Sequence, residues 1–212
     1  MSLPEVRRPV VRVAILGSGS GTTAERIMDV AGSSVHAEVC LVISNKSRSG
    51  VLERARERGV PTLHLSGVTH PDPADLDAAM TKALESAGAD LLVLAGFLKK
   101  IGPRTLERWG GRIVNTHPAL LPAYGGVGMY GDRVHEAVLA AGATETGASI
   151  HSVTPEYDEG PVLAQVVVPV EPNDDVASLR VRVQAAEKAL LVQWLTEYCG
   201  AIGRAAWPAR VV

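Results

Sequence analysis

The sequence predicts an α/β protein with a mostly parallel central sheet, helices on both faces and an antiparallel edge. Apolar runs of strand length alternate with amphipathic helical stretches over most of the chain. That order is expected of βα units whose sheet is buried on both sides. A glycine-rich turn, GSGSGTT at 17–23, follows the first strand and opens a helix. After Gly131 the alternation breaks, and two strand-like runs follow one another with no full helix between them. Such a pair predicts an antiparallel addition at one sheet edge.

The elements follow in order. Residues 11–16 (VRVAIL) form a buried strand, 17–23 the turn and 24–30 a helix. Residues 35–44 give a second strand, 50–58 an amphipathic helix ended by Gly59, and 60–65 a short third strand. The helix at 72–87 begins with Asp72 and Pro73, residues that favour helix starts. Residues 91–95 (LLVLA) form a continuous apolar strand, 103–109 a short helix and 112–115 the next strand. A helix at 133–141, strands at 148–153 and 162–170 and a long closing helix at 176–198 complete the chain. No repeat, linker or low-complexity segment interrupts it. One domain over 1–212 is expected, with 1–10 a flexible N-terminus and 200–212 a C-terminal tail.

Composition narrows the function classes. Of 212 residues 46% are apolar and 21% charged, as in ordinary globular proteins. With 21 basic against 23 acidic residues and no basic tail, the chain lacks the concentrated positive surface that nucleic acid requires. One Phe and four Tyr leave little for stacking bases. No apolar run reaches the roughly 20 residues of a membrane span, and the N-terminus has no apolar signal region. Cys40 and Cys199 show no metal-ligand spacing. They read as reduced residues of a cytoplasmic protein, with pairing between them left open.

The glycine turn sits where backbone N–H groups at a helix N-terminus hold a phosphate. It is not the dinucleotide fingerprint, because Thr22 stands where the third glycine belongs and the second strand ends Ile43-Ser44-Asn45-Lys46 without an acid for a ribose. No Gly-Lys-Ser/Thr follows, so it is not a P-loop either. The reading is a phosphate cradle without a nicotinamide cofactor; the alternative is a tight turn that only lets helix meet sheet.

NTHPALLPAYGG, residues 115–126, closes an apolar strand with two polar side chains. Asn115 and His117 share one face if the strand continues that far. They then lie at a carboxyl strand end, where ligands bind in open α/β sheets. An Asn amide donates to an oxygen that becomes negative in a tetrahedral intermediate, and His carries a proton. Asp158, in a loop ahead of Gly160-Pro161, is placed to raise the pKa of His117 or to pass a proton through water. His151 faces the same cleft or is a half-buried strand histidine. A polar pair that caps a turn is the alternative for Asn115 and His117. His36, His64, His70 and His135 read as surface or packing residues.

Together GSGSGTT, ISNK at 43–46, LAGFLKKIGP at 94–103, NTHPALLPAYGG, TGASIHSVTPEYDEGPVLAQ at 146–165 and RVQAAEKAL at 182–190 resemble the folate-dependent formyltransferases. The resemblance runs from about Val11 to Tyr198, and N-x-H-P-x-L-L-P with the later D-x-G-P is specific for the superfamily. It implies the Rossmann-like formyltransferase fold. Within the family the pattern looks most like the members that formylate the amine of glycinamide ribonucleotide in purine synthesis, with 10-formyltetrahydrofolate as donor and no metal. On that resemblance Asn115 binds the formyl oxygen, His117 donates the proton, Asp158 sets the pKa of His117, and His151 lines the site. Gly21, Thr22 and Thr23 match the phosphoribosyl-binding turn, and Gln184 and Glu187 match residues that hold the nucleotide end. Leu98, Lys99, Lys100 and Ile101, with Asn115, match the folate-binding segment. Many members have Asn where this chain has Thr23, and the stretch 125–132 (GGVGMYGD) is longer than in many.

The partners implied are small molecules, with no nucleic acid and no membrane; monomer and homodimer both stay open. Methionyl-tRNA formyltransferase carries a further C-terminal domain, and formyltetrahydrofolate deformylase an N-terminal regulatory one; neither is expected in this sequence. Sugar-amine formyltransferases and a non-catalytic ligand-binding module are the remaining alternatives.

Overall fold

A computed structural model describes residues 10–202. Its seven-stranded sheet has the order β3-β2-β1-β4-β5-β6-β7. Strands β1 (Val11–Leu16), β2 (Ala37–Ser44), β3 (Thr62–His64), β4 (Leu91–Leu94) and β5 (Ile113–His117) are parallel. Strand β6 (Glu145–Ser152) runs antiparallel to β5, and β7 (Val162–Pro169) antiparallel to β6. The antiparallel edge expected from the missing helix is therefore present.

Alternation along the buried strands divides the core. Val13, Ile15, Leu91 and Val93 face one side, against Ile27 of α1 (Thr22–Val30), Leu52 of α2 (Gly50–Glu57) and Leu191 and Leu195 of α6 (Val176–Ile202). Ala14, Leu16, Leu92 and Leu94 face the other, with Met80 and Leu84 of α3 (Pro73–Ser86) and Trp109 of α4 (Pro103–Trp109). Both strand faces are covered, which is why these strands read as unbroken apolar runs. A third cluster joins Val138 of α5 (Asp132–Ala140), Val168, Leu179 and Val183.

Caps set the helix starts that matter to the site. Helix α3 starts after Asp72, whose carboxylate accepts from Ala74 N–H at 2.7 Å. Gly102 cannot cap α4 with a side chain, so Asp77 of α3 accepts from Arg104 N–H, Thr105 N–H and the Thr105 hydroxyl instead. This borrowed cap fixes where the 95–102 loop enters α4.

Several boundaries differ from the sequence reading. Helix α1 starts at Thr22 rather than residue 24, because Gly21 in the left-handed region (φ 81°) turns the chain directly into the helix. Val35 lies outside β2 and bridges to Ala31. Strand β5 continues through His117 because β6 pairs beside it, Asn115 opposite His151 and His117 opposite Ser149. Strand β6 begins at Glu145, three residues before its apolar run, where it pairs with Pro169 of β7. Helix α6 runs to Ile202, into the expected tail; the expected flexible N-terminus and the rest of the tail lie outside the described residues. Among the described residues no helix is long and apolar enough to cross a membrane.

Candidate active site

The strand order places β1 beside β4, where the connections diverge to opposite faces of the sheet. That is the switch point at which a crevice opens outside the carboxyl strand ends. The loops after β1, β4 and β5 surround a cavity of about 680 Å³, a size suited to small organic ligands.

The floor of the cavity is the end of β5. Asn115 and His117 share one face of the strand, and Thr116 between them points to the other. Asn115 Nδ2 lies 3.0 Å from His151 Nε2. His151 Nδ1 lies 3.1 Å from the carbonyl of Ser152, which can only accept. Nδ1 therefore carries the proton, and Nε2 accepts from the Asn115 amide. One amide N–H is used to orient the group, and the second remains.

The same logic applies to His117, which is 3% exposed. Its Nε2–H donates to the carbonyl of Tyr124 at 2.8 Å. Proton exchange is left to Nδ1, 3.5 Å from Asp158 Oδ2. Asp158 Oδ1 is 3.4 Å from His151 Nε2, and Oδ2 also accepts from Gly126 N–H at 3.0 Å. One carboxylate thus faces both histidines. It sits on a backbone in the left-handed region (φ 58°), which Asp tolerates better than most residues. Gly160 holds that loop close: a Cβ there would fall 1.8 Å from the Ser152 carbonyl.

Asp158 pulls the His117 pKa upward, the direction expected from sequence, but burial is the larger influence. Burial pushes the His117 pKa below the ordinary histidine value, and this outweighs the upward pull of Asp158 and of the Tyr124 carbonyl. Asp158 raises the pKa of His117 only in the sense of limiting that fall. Burial works against the Asp158 carboxylate too, but the neighbouring His151 and His117 rings and the Gly126 N–H together hold it below the usual range.

The turn after β5 is pinned from behind. The Ser149 hydroxyl donates to Ala119 carbonyl at 2.6 Å and accepts from Leu121 N–H at 3.0 Å. Gln165, opposite Ser149 on β7, donates from Nε2 to Leu121 carbonyl and to Ser149 Oγ. Sequence reasoning assigned neither residue. Their only signal was a buried Ser149 facing Gln165 across two strands, which needs the register to be seen.

The remaining expected residues line the same cavity. Gly21, Thr22 and Thr23 form the N-terminus of α1, and Gln184 and Glu187 approach from α6. Glu187 Oε1 accepts from Thr116 Oγ1 at 3.0 Å and from Thr23 Oγ1 at 3.4 Å. Burial pushes the Glu187 pKa up. Leu98, Lys99 and Lys100 stand exposed at the rim after β4, and Ile101 is buried beneath them. The 125–132 stretch also borders the cavity, with Val127 87% exposed. His135, read from sequence as a surface or packing residue, is buried at 1% exposure and borders the cavity. Among the described residues no three His, Cys, Asp or Glu side chains form a group that could hold a metal ion.

A family model described as formyl transferase matches residues 11–195, so the chain belongs to the formyl transferase family. The phosphoribosylglycinamide formyltransferase of Haemophilus influenzae is 33% identical, over 88% of this chain and 87% of its own length. The trifunctional purine biosynthetic protein adenosine-3 of Drosophila melanogaster is 38% identical over 83% of this chain, which spans 13% of that longer protein. The crystal structure of glycinamide ribonucleotide transformylase 1 from Symbiobacterium toebii superposes with a TM-score of 0.86 at 33% identity, covering 99% of this chain and 96% of that one.

Proposed function

We propose that the chain transfers the formyl group of 10-formyltetrahydrofolate to the amine of 5-phosphoribosylglycinamide, a step of purine synthesis. The observation that carries the reading is the convergence of Asn115, His117 and Asp158 at the end of β5, between two unlike walls. One wall is the N-terminus of α1, whose N–H groups suit a phosphate. The other, after β4, is mostly apolar and suits the pteridine of the donor. The identity to phosphoribosylglycinamide formyltransferases over most of the chain supports the same acceptor.

In this reading the amine nitrogen attacks the formyl carbon, forming a C–N bond while the carbonyl electrons move to oxygen. The remaining Asn115 N–H donates to that oxygen, and His151 holds the amide in position. Collapse breaks the bond to the folate nitrogen. His117, protonated on Nδ1 beside Asp158, gives that proton to the departing nitrogen, and the proton lost by the amine restores it. No covalent enzyme intermediate is required. Gln184, Glu187 and the α1 turn hold the ribonucleotide, and Leu98 to Ile101 hold the folate. The reaction belongs to a cytoplasmic setting.

The test is formyl release from 10-formyltetrahydrofolate with and without the ribonucleotide. Tetrahydrofolate formation that requires the ribonucleotide is expected. Release without it would make the chain a deformylase, and no release despite folate binding would send the acceptor elsewhere.

A further inference from the structure

His135 sits one turn into α5 between the buried residues Val134 and Val138. A histidine this deep ordinarily has both ring nitrogens accounted for. Here Nδ1 is buried and has no hydrogen-bond partner among the described residues. Leaving such a group unpaired costs about 1–3 kcal/mol, a cost an apolar side chain of similar size avoids. Its nearest acid does not serve it: both Asp132 carboxylate oxygens take Arg180 NH1 at 2.8 Å. His135 borders the cavity, as do Gln184 and the paired Asp132 and Arg180.

We propose that His135 is a direct binding and specificity residue for the acceptor, its ring turning to bring the unpaired Nδ1 onto the ribonucleotide. This rests on the acceptor assignment above. The chemistry selects which part of the acceptor it meets. Burial pulls the His135 pKa below the ordinary value, against the pull of Asp132. A neutral imidazole offers one donor and one acceptor, which matches a ribose hydroxyl or an amide rather than a phosphate. The phosphate is left to the α1 turn.

The test uses the full chain and two variants, His135→Phe, which keeps a ring of similar size, and His135→Met, which fills the space flexibly. Thermal unfolding is followed alone, with glycinamide ribonucleotide and with a folate analogue, together with steady-state kinetics. Without ligand, His135→Phe should be at least as stable as the parent. Its stabilisation by the ribonucleotide should shrink, and KM for the ribonucleotide should rise about tenfold, the worth of one lost hydrogen bond. Folate stabilisation and folate KM should not move. An unchanged ribonucleotide KM in either folded variant would overturn the proposal, and with lowered ligand-free stability would make His135 a structural residue. If the parent itself gains no stability from the ribonucleotide but does from the folate analogue, the acceptor assignment falls and this inference with it.

Discussion

Asn115→Ala separates chemistry from folding. Asn115 is partly buried and makes one side-chain hydrogen bond, 3.0 Å to His151 Nε2. A net hydrogen bond is worth about 1 kcal/mol, and His151 keeps its bond to the Ser152 carbonyl. In a chain of 212 residues a loss of that size lowers Tm by about 2–4 °C. The barrier should suffer far more. A fixed amide aimed at a developing oxyanion contributes about 3–4 kcal/mol, so kcat should fall roughly 100- to 1,000-fold. Single-turnover formyl transfer at saturating donor and acceptor measures the chemical step, and calorimetry measures stability. A kcat within a few-fold of the parent would refute the oxyanion role. A fall in Tm several times larger than expected would show instead that Asn115 is a keystone of the β5–β6 pairing.

Asp158→Asn removes the charge that limits the fall in the His117 pKa. His117 then titrates at lower pH, so the limb of the kcat/KM profile that needs protonated His117 should shift downward and activity should fade earlier as pH rises. A superimposable profile would remove Asp158 from the proton path. Gly21→Ala places a Cβ 2.4 Å from Val51 Cα at a φ of 81°. The left-handed backbone costs about 1–2 kcal/mol and the overlap about 1–3 kcal/mol more. Urea unfolding should show that loss along with weakened ribonucleotide binding, and an unchanged midpoint would mean that the turn and α2 separate freely.

Most of the sheet was legible because its strands are buried on both faces and carry little else: VRVAIL and LLVLA have almost no competing signal. Boundaries slipped where pairing, rather than composition, decides. Thr116 and His117 look like the end of a strand until Ile150 and Ser149 are set beside them. Of the site, Asn115, His117 and Asp158 stood out because chemistry-bearing residues follow an apolar run or precede a Gly-Pro turn. Ser149 and Gln165 did not, since a Ser or Gln in a strand signals nothing until the register makes them neighbours. His135 was passed over for a related reason: its helix reads as an ordinary amphipathic one, and only the fold reveals a buried nitrogen without a partner.

The bond between Thr23 and Glu187 spans 164 residues of chain. By contrast, Asn115, His117, His151 and Asp158 belong to one segment built around the β5–β6 pairing and the β6–β7 hairpin. The two halves of the cavity therefore differ in when they can be assembled. The catalytic half closes modest loops and can gather once β6 and β7 are made. The other half waits for α6, because Gln184 and Glu187 are carried on it and Glu187 also reaches Thr116 on the far face of β5. During synthesis this side of the cavity is the last to be completed, when α6 docks against the sheet that already carries Asn115 and His117.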